Sequence, residues 1–192
     1  MTFEPAKVPG GDVARWGEEC RAKALAGVEA RDWRPVYDWT KSWIGWGGGA
    51  WIPDTWLLYA VSSLLRGQPR NAVHSLDLGI GTWLAGPGDR AGLTWCRGMV
   101  VMNALQDPKS ALLDLEPAAE SLPPWLAHQN TELLGRCREA ASRSRKRKPA
   151  VKPHPHFTGA DSVRHVVAPA ATDRRDGDPP AVWANIVAYF NA

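Results

Sequence analysis

Apolar residues in the first two thirds of the chain recur every three or four positions, which is the spacing of one face of an α-helix. Between Trp56 and Leu65, two rows of apolar residues four positions apart share such a face. Glycine and proline interrupt the pattern at positions 67–69 and 123–124, and proline fits the first turn of a new helix. The pattern predicts seven helices before residue 142, arranged as three hairpins and a closing helix.

Two stretches repeat with an offset of 39 residues. The first begins at Thr55 and reads TWLLYAVSSLLRGQPRNA, and the second begins at Thr94 and reads TWCRGMVVMNALQDPKSA. A weaker third copy precedes them by 36 residues and aligns Ile44 with Ile80. Because one amphipathic hairpin cannot bury its apolar face alone, we expect the three hairpins to stack on one another.

Helical hairpins of this length, with a small residue near the start of the second helix, resemble tetratricopeptide (TPR) repeats. The resemblance covers residues 12–140, although the offsets exceed the usual 34 residues and the Trp-Leu-Gly-Tyr series is missing. It implies an all-α fold of antiparallel hairpins stacked as a short α-solenoid that holds a protein or peptide along its inner helices. A generic antiparallel helical bundle is the alternative. The residues that carry the resemblance, besides the turn prolines, are Ala24, Ala60, Gly67, Ala72 and Ala111.

Composition divides the chain into four parts. The sequence predicts a disordered N-terminus at 1–11, the repeat domain at 12–141, a basic and then proline-rich flexible linker at 142–179, and a short helix at 180–192. A helix of about a dozen residues is unstable alone in water, so we expect the last one to dock on its own body, on a second copy or on a partner. Its apolar stripe consists of Val182, Trp183, Ile186, Val187 and Phe190.

Positive charge is concentrated in one segment. The chain carries a formal net charge of +3, but residues 136–152 alone carry +7, so the remainder is acidic. Such a cluster can contact the phosphates of a nucleic acid, or it can be a solvated linker, and no aromatic residue interleaves it for base stacking. The candidate phosphate contacts are Arg143, Arg145, Lys146, Arg147 and Lys148.

Six of the eleven tryptophans lie between positions 33 and 56. These tryptophans either pack in the core between the first two hairpins or form a binding surface, because large aromatic residues are common in both protein cores and interface anchors. The glycine run at 45–49 lacks the features of a phosphate-binding loop, and we interpret it as an extended, mobile connection between hairpins. Including the last helix, the predicted partner-binding residues are Trp39, Trp43, Trp46, Trp51, Trp183 and Phe190.

No pattern in the sequence identifies a reaction. His154, His156 and His165 could supply imidazole ligands, and Asp161 is the one carboxylate at ligand spacing, so an enzyme or metal-dependent protein using them is a third alternative. The set is incomplete, and neither a metal nor another cofactor is predicted. The odd number of distant cysteines, together with the absence of a signal peptide and of a membrane-spanning run, predicts a cytoplasmic protein with reduced thiols. The sequence therefore favours a non-enzymatic protein- or peptide-binding scaffold, with a nucleic-acid-associated regulator as the alternative.

Overall fold

The computed structural model describes residues 12–82, 84–122 and 124–143, apart from the side chain of Trp125. Within these ranges the chain forms seven α-helices and no strand, which confirms the predicted all-α class with three hairpins and a closing helix. A single turn of 3-10 helix, Gly49–Trp51, joins the first hairpin to the second. The helices are α1 (Val13–Glu29), α2 (Trp33–Trp46), α3 (Pro53–Leu65), α4 (Pro69–Ile80), α5 (Pro87–Asn103), α6 (Pro108–Ala118) and α7 (Pro124–Arg143).

The three hairpins share one turn geometry. Arg31, Gly67 and Gln106 occupy the turns and have positive φ values of 53°, 74° and 53°. These residues are separated by 36 and 39 positions, the same offsets that relate the sequence repeats. A left-handed backbone conformation is energetically unfavourable for any residue other than glycine. Its recurrence at all three turns shows that the repeat is structural as well as compositional.

Proline and aspartate set the starts of the helices. Helices α3 to α6 each have proline in the first turn, where its missing N–H removes no intrahelical hydrogen bond. The carboxylates of Asp12, Asp32 and Asp107 accept backbone N–H groups at the starts of α1, α2 and α6. Helix α7 continues to Arg143, the last described residue.

Each helix packs mainly on the helices before and after it, and α5 also touches α3 and α7. Val36, Ala72 and Ala111 occupy the same place in the three hairpins, near the start of the second helix, and all are 0% exposed. Every residue of α5 from Ala91 to Val101 is buried. The core is therefore continuous along the stack, with α5 at its centre.

Candidate functional site

The four predicted tryptophans of the first hairpin and its connection have different environments. Trp46 and Trp51 are 42% and 47% exposed, and Trp39 is partly buried. Trp43 is only 5% exposed and belongs to the core. Trp43 therefore has to be removed from the predicted binding residues, because its indole is not accessible to a partner and serves packing instead.

A tight glycine turn encloses the Trp43 indole. A Cβ atom added to Gly17 of α1 would lie 2.4 Å from the carbonyl oxygen of Gly47, and one added to Gly49 would lie 2.8 Å from the Trp43 ring. Gly48, between Gly47 and Gly49, has a φ of 75°, a backbone conformation that favours glycine. The interpretation of this run as an extended connection is wrong: it is a compact turn that needs glycine for close approach.

Trp46 and Trp51 flank this turn and are held by it. The Trp56 indole N–H donates a hydrogen bond to the carbonyl oxygen of Ala50 at 2.9 Å, which ties the turn to α3. Two large apolar side chains thus project from a well-packed backbone while remaining open to solvent. Exposed aromatic groups on an ordered support are typical of interface anchors, since little conformational entropy is lost when they bind.

A second aromatic group lies where α1 packs on α2. The rings of Trp16 and Trp39 meet edge to face with centroids 6.1 Å apart. The Lys23 ammonium lies 4.0 Å from the centroid of Trp39 and 2.6 Å from a carboxylate oxygen of Glu19. The sequence analysis did not predict Trp16 or Lys23 as site residues. A signal was present, because Trp16 lies four residues before the buried Cys20 and Lys23 lies three residues after it, so both lie beside the apolar face of α1.

These residues form what we call the aromatic end surface. Val13 is 50% exposed and lies one helical turn before Gly17, which contacts Gly47 beside Trp46. Helix α1 is the terminal helix of the described stack and packs mainly on α2. The aromatic end surface comprises Val13, Trp16, Lys23, Trp39, Trp46 and Trp51.

The opposite end of the stack differs. There α7 buries Leu126, Leu133 and Cys137, while polar and charged residues such as Glu132 and Arg136 are exposed. The other large hydrophobic side chains exposed among the described residues are Leu78 on α4 and Leu113 on α6, which are single residues on different helices. The described stack therefore has a polar cap at α7, whereas its first hairpin concentrates exposed aromatic area.

The main buried polar feature is an ion cluster at the centre of the stack. Arg97 of α5 is 2% exposed and pairs with Asp77 of α4 and with Asp114 of α6, whose carboxylate lies 3.0 Å from Arg97 Nε. Burial raises the pKa of Asp114 to about 7 against the lowering effect of Arg97, and the charge of Asp77 raises it further. The cluster joins the second and third hairpins, since its three side chains come from α4, α5 and α6.

The raised pKa of Asp114 predicts how stability depends on pH. Because the folded protein holds this proton more tightly than the unfolded chain does, the associated stability is present below about pH 4 and is lost as the pH rises through about 7. Denaturant unfolding of wild type and Asp114→Asn at several pH values measures this effect, with exposed Asp38→Asn as the control. We expect the wild type to lose stability relative to Asp114→Asn between those limits. Parallel pH profiles for the two proteins would contradict the assignment.

Other chemical sites are not evident in the described part of the chain. A cavity of about 10 Å³ between α3, α4 and α5 is lined by apolar side chains such as Leu57 and Met99 and has room for a single water at most. Cys20, Cys96 and Cys137 are free and buried, and burial raises the pKa of each thiol, which makes them poor nucleophiles. No three histidine, cysteine or acidic side chains in the described ranges are grouped to hold a metal ion.

The remaining predicted site residues lie mostly outside the described ranges. Arg143 is exposed in the last turn of α7 and pairs with Glu139. The other residues of the basic run, Arg145, Lys146, Arg147 and Lys148, lie outside the described residues, as do Trp183, Phe190 and the three C-terminal histidines. The predicted N-terminal segment, the predicted linker from residue 144 onward and the predicted last helix lie outside them as well.

Comparison with known proteins gives no relatives: no family model, no curated protein and no solved structure matches this chain. None of the helices in the described ranges is both long enough and apolar enough to cross a membrane.

Proposed function

We propose that this protein is a cytoplasmic, non-enzymatic scaffold of TPR-like helical hairpins that binds a protein or peptide through the aromatic end surface. The observation that supports this most directly is the pair of exposed indoles, Trp46 and Trp51, on the packed glycine turn. A reducing compartment fits the three free thiols.

The two exposed indoles offer apolar area that a partner can cover. Covering about 100 Å² of an indole removes about 2.5 kcal/mol of unfavourable hydration, so two such side chains supply a useful share of a micromolar affinity. Lys23 lies above the Trp39 ring and pairs with Glu19, so this ion pair gives the apolar area a polar edge. A partner with an apolar helix or extended segment and a polar rim fits this surface best.

The position of this surface differs from the inner groove that the TPR resemblance implies. Between Ala91 and Val101, helix α5 offers no accessible side chain, so it cannot supply anchors along that stretch. Among the described residues, the exposed tryptophans are Trp46, at the end of the first hairpin, and Trp51, in the turn that follows it. We therefore assign partner binding to the end of the stack.

Site-specific photo-crosslinking tests this proposal. A benzophenone amino acid placed at Trp46 or Trp51 in the source cell is expected to yield adducts with another protein. The same group at Leu78 or Leu113 is a matched control, because these side chains are 42% and 38% exposed but lie elsewhere. Equal adducts from all four positions, or none from Trp46 and Trp51, would refute the proposal.

A row of basic residues favours the second candidate, a nucleic-acid-associated regulator. Arg34, Arg70 and Lys109 are the second residues of α2, α4 and α6, and these helices have no acidic residue in their first turns. Positive charge at a helix N-terminus opposes the helix dipole, and the capping carboxylates of Asp32 and Asp107 offset this cost in α2 and α6, so the helix dipole does not account for the recurrence. Together with the basic run at 143–148, the row would contact phosphates.

Electrophoretic shift of the full chain with single- and double-stranded DNA and RNA at low and high salt tests this candidate. We expect binding that weakens steeply with salt and is reduced in Arg34→Glu/Arg70→Glu. No shift at low salt would remove the candidate.

A further inference from the structure

We propose that the edge of the stack where α2 and α4 begin binds single-stranded nucleic acid, with an unpaired base stacked on the guanidinium of Arg66 and neighbouring phosphates on Arg34 and Arg70. This inference rests on the second candidate function and deepens it, because it names the form of nucleic acid and the residue that contacts a base. It is independent of partner binding at the aromatic end surface.

Two tyrosines from neighbouring helices support the site. The rings of Tyr37 on α2 and Tyr59 on α3 stack with centroids 4.9 Å apart and an interplanar angle of 28°. The Tyr59 hydroxyl donates a hydrogen bond to the Tyr37 hydroxyl oxygen at 3.0 Å, and burial raises the pKa of Tyr59, so this donor stays protonated. The Tyr37 hydroxyl proton has no acceptor among the described residues, so it can be donated to a phosphate oxygen of the ligand.

Arg66 is held against this support at both ends of the residue. Its backbone N–H donates to the carbonyl oxygens of Ser62 and Ser63, each at 3.2 Å, and its guanidinium carbon lies 4.3 Å from the centroid of the Tyr37 ring. Tyr37 and Tyr59 are partly buried whereas Arg66 is exposed, so the guanidinium is the part of this group that a ligand reaches. A guanidinium is planar and weakly hydrated, and unpaired bases stack on it in RNA recognition.

Positive charge surrounds this stack. Arg34 lies one helical turn before Tyr37 on α2, and Arg70 is the second residue of α4, which follows the turn that begins at Arg66. Within the described part of the chain, none of these three arginines forms an ion pair. Asp32 is the nearest acidic residue to Arg34 in sequence, and its carboxylate already accepts the Arg34 backbone N–H as the cap of α2. The three guanidinium groups are therefore available to an anionic ligand.

The arrangement favours a single strand over a duplex. Paired bases are stacked on one another and present only their edges, whereas an unpaired base can lie on a guanidinium plane. Helices α2 and α4 each follow a hairpin turn, so Arg34 and Arg70 lie at the same end of the stack on helices about 10 Å apart. A few consecutive phosphates of one strand can span that distance. The site thus supplies the stacking group that the basic run at 143–148 lacks.

Two probes of equal charge test the inference. The full chain is titrated at low salt, with fluorescence anisotropy as the readout, using a labelled oligothymidylate of about eight nucleotides and an abasic strand with the same number of phosphates. We expect the oligothymidylate to bind about tenfold more tightly, because only this probe has bases to stack. Equal affinities for the two probes, or equal binding of a duplex of the same length, would overturn the inference.

Arg66→Lys locates the stacking, because lysine keeps the charge but lacks the planar group. We expect this variant to lose most of the tenfold preference for bases while its affinity for the abasic strand changes less than about twofold. Arg15→Lys makes the same change at an exposed position at the start of α1 and should keep the preference. A preference that survives in Arg66→Lys, or that is lost equally in Arg15→Lys, would contradict the assignment to Arg66.

The second candidate function and this inference fail in different ways. If neither probe binds at low salt, both are refuted. If both probes bind equally and Arg34→Glu/Arg70→Glu weakens both, phosphate binding holds and base stacking on Arg66 is refuted. Thermal unfolding of each variant confirms that a lost affinity does not come from a lost fold.

Discussion

Replacing Arg97 with methionine should lower the free energy of unfolding by about 3–5 kcal/mol at pH 8. The substitution keeps most of the side-chain volume but removes the guanidinium that pairs with Asp77 and Asp114. Because Asp114 is 2% exposed, its carboxylate would then be buried without its countercharge. Urea unfolding followed by circular dichroism measures the loss.

The pH dependence and a matched control make this prediction specific. The cost should shrink near pH 5, since a lone Asp114 carboxyl can then be buried as the neutral acid. Arg138→Met removes an ion pair with Glu116 in which the Arg138 and Glu116 side chains are 62% and 52% exposed. We expect it to lower the free energy of unfolding by less than about 1 kcal/mol. Similar losses for Arg97→Met and Arg138→Met would show that the buried cluster does not hold the hairpins together.

Replacing Gly17 with alanine is expected to destabilise the protein by about 2–3 kcal/mol. The added methyl group would lie 2.4 Å from the carbonyl oxygen of Gly47, and a backbone atom cannot move aside as a flexible side chain can. Helix α1 would have to shift away from the turn, which would also loosen the packing around Trp43. Thermal unfolding and near-ultraviolet circular dichroism of the tryptophans report both effects.

Gly45→Ala is the control for this substitution. Gly45 lies in α2, is exposed, and has no atom within 4 Å of an added Cβ. Its replacement should therefore stabilise the protein by up to about 1 kcal/mol through helix propensity. A Gly17→Ala protein as stable as Gly45→Ala would mean that the close approach of α1 to the glycine turn is not needed.

Much of the fold was predictable because its signals are local. Helix periodicity, proline at the first helical turn and the repeated turns located seven helices and their pairing. A basic residue such as Arg143 suits both a solvated linker and the last turn of a helix, where it lies in the structure, so the end of α7 is hard to predict from sequence.

The candidate site was less predictable, because exposure is a property of packing. Trp43 and Trp46 are three residues apart and on neighbouring sides of α2, yet one is buried and the other is 42% exposed. The difference comes from the glycine turn, which folds back over Trp43 and brings Gly47 against Gly17 of another helix. Trp16 and Lys23 belong to the site because they contact Trp39, which only the packing of α1 on α2 reveals.

The sequence by itself determined the helices, the hairpin repeat and the concentration of tryptophan near the first joint, because these depend on the order of residues and on short-range backbone preferences. Only the tertiary structure decided which tryptophans are accessible, which glycines touch another backbone, and that Arg97 meets Asp77 and Asp114 from two other helices. The physical reason is that burial and ion pairing join residues distant in the chain, whose meeting depends on how whole helices pack.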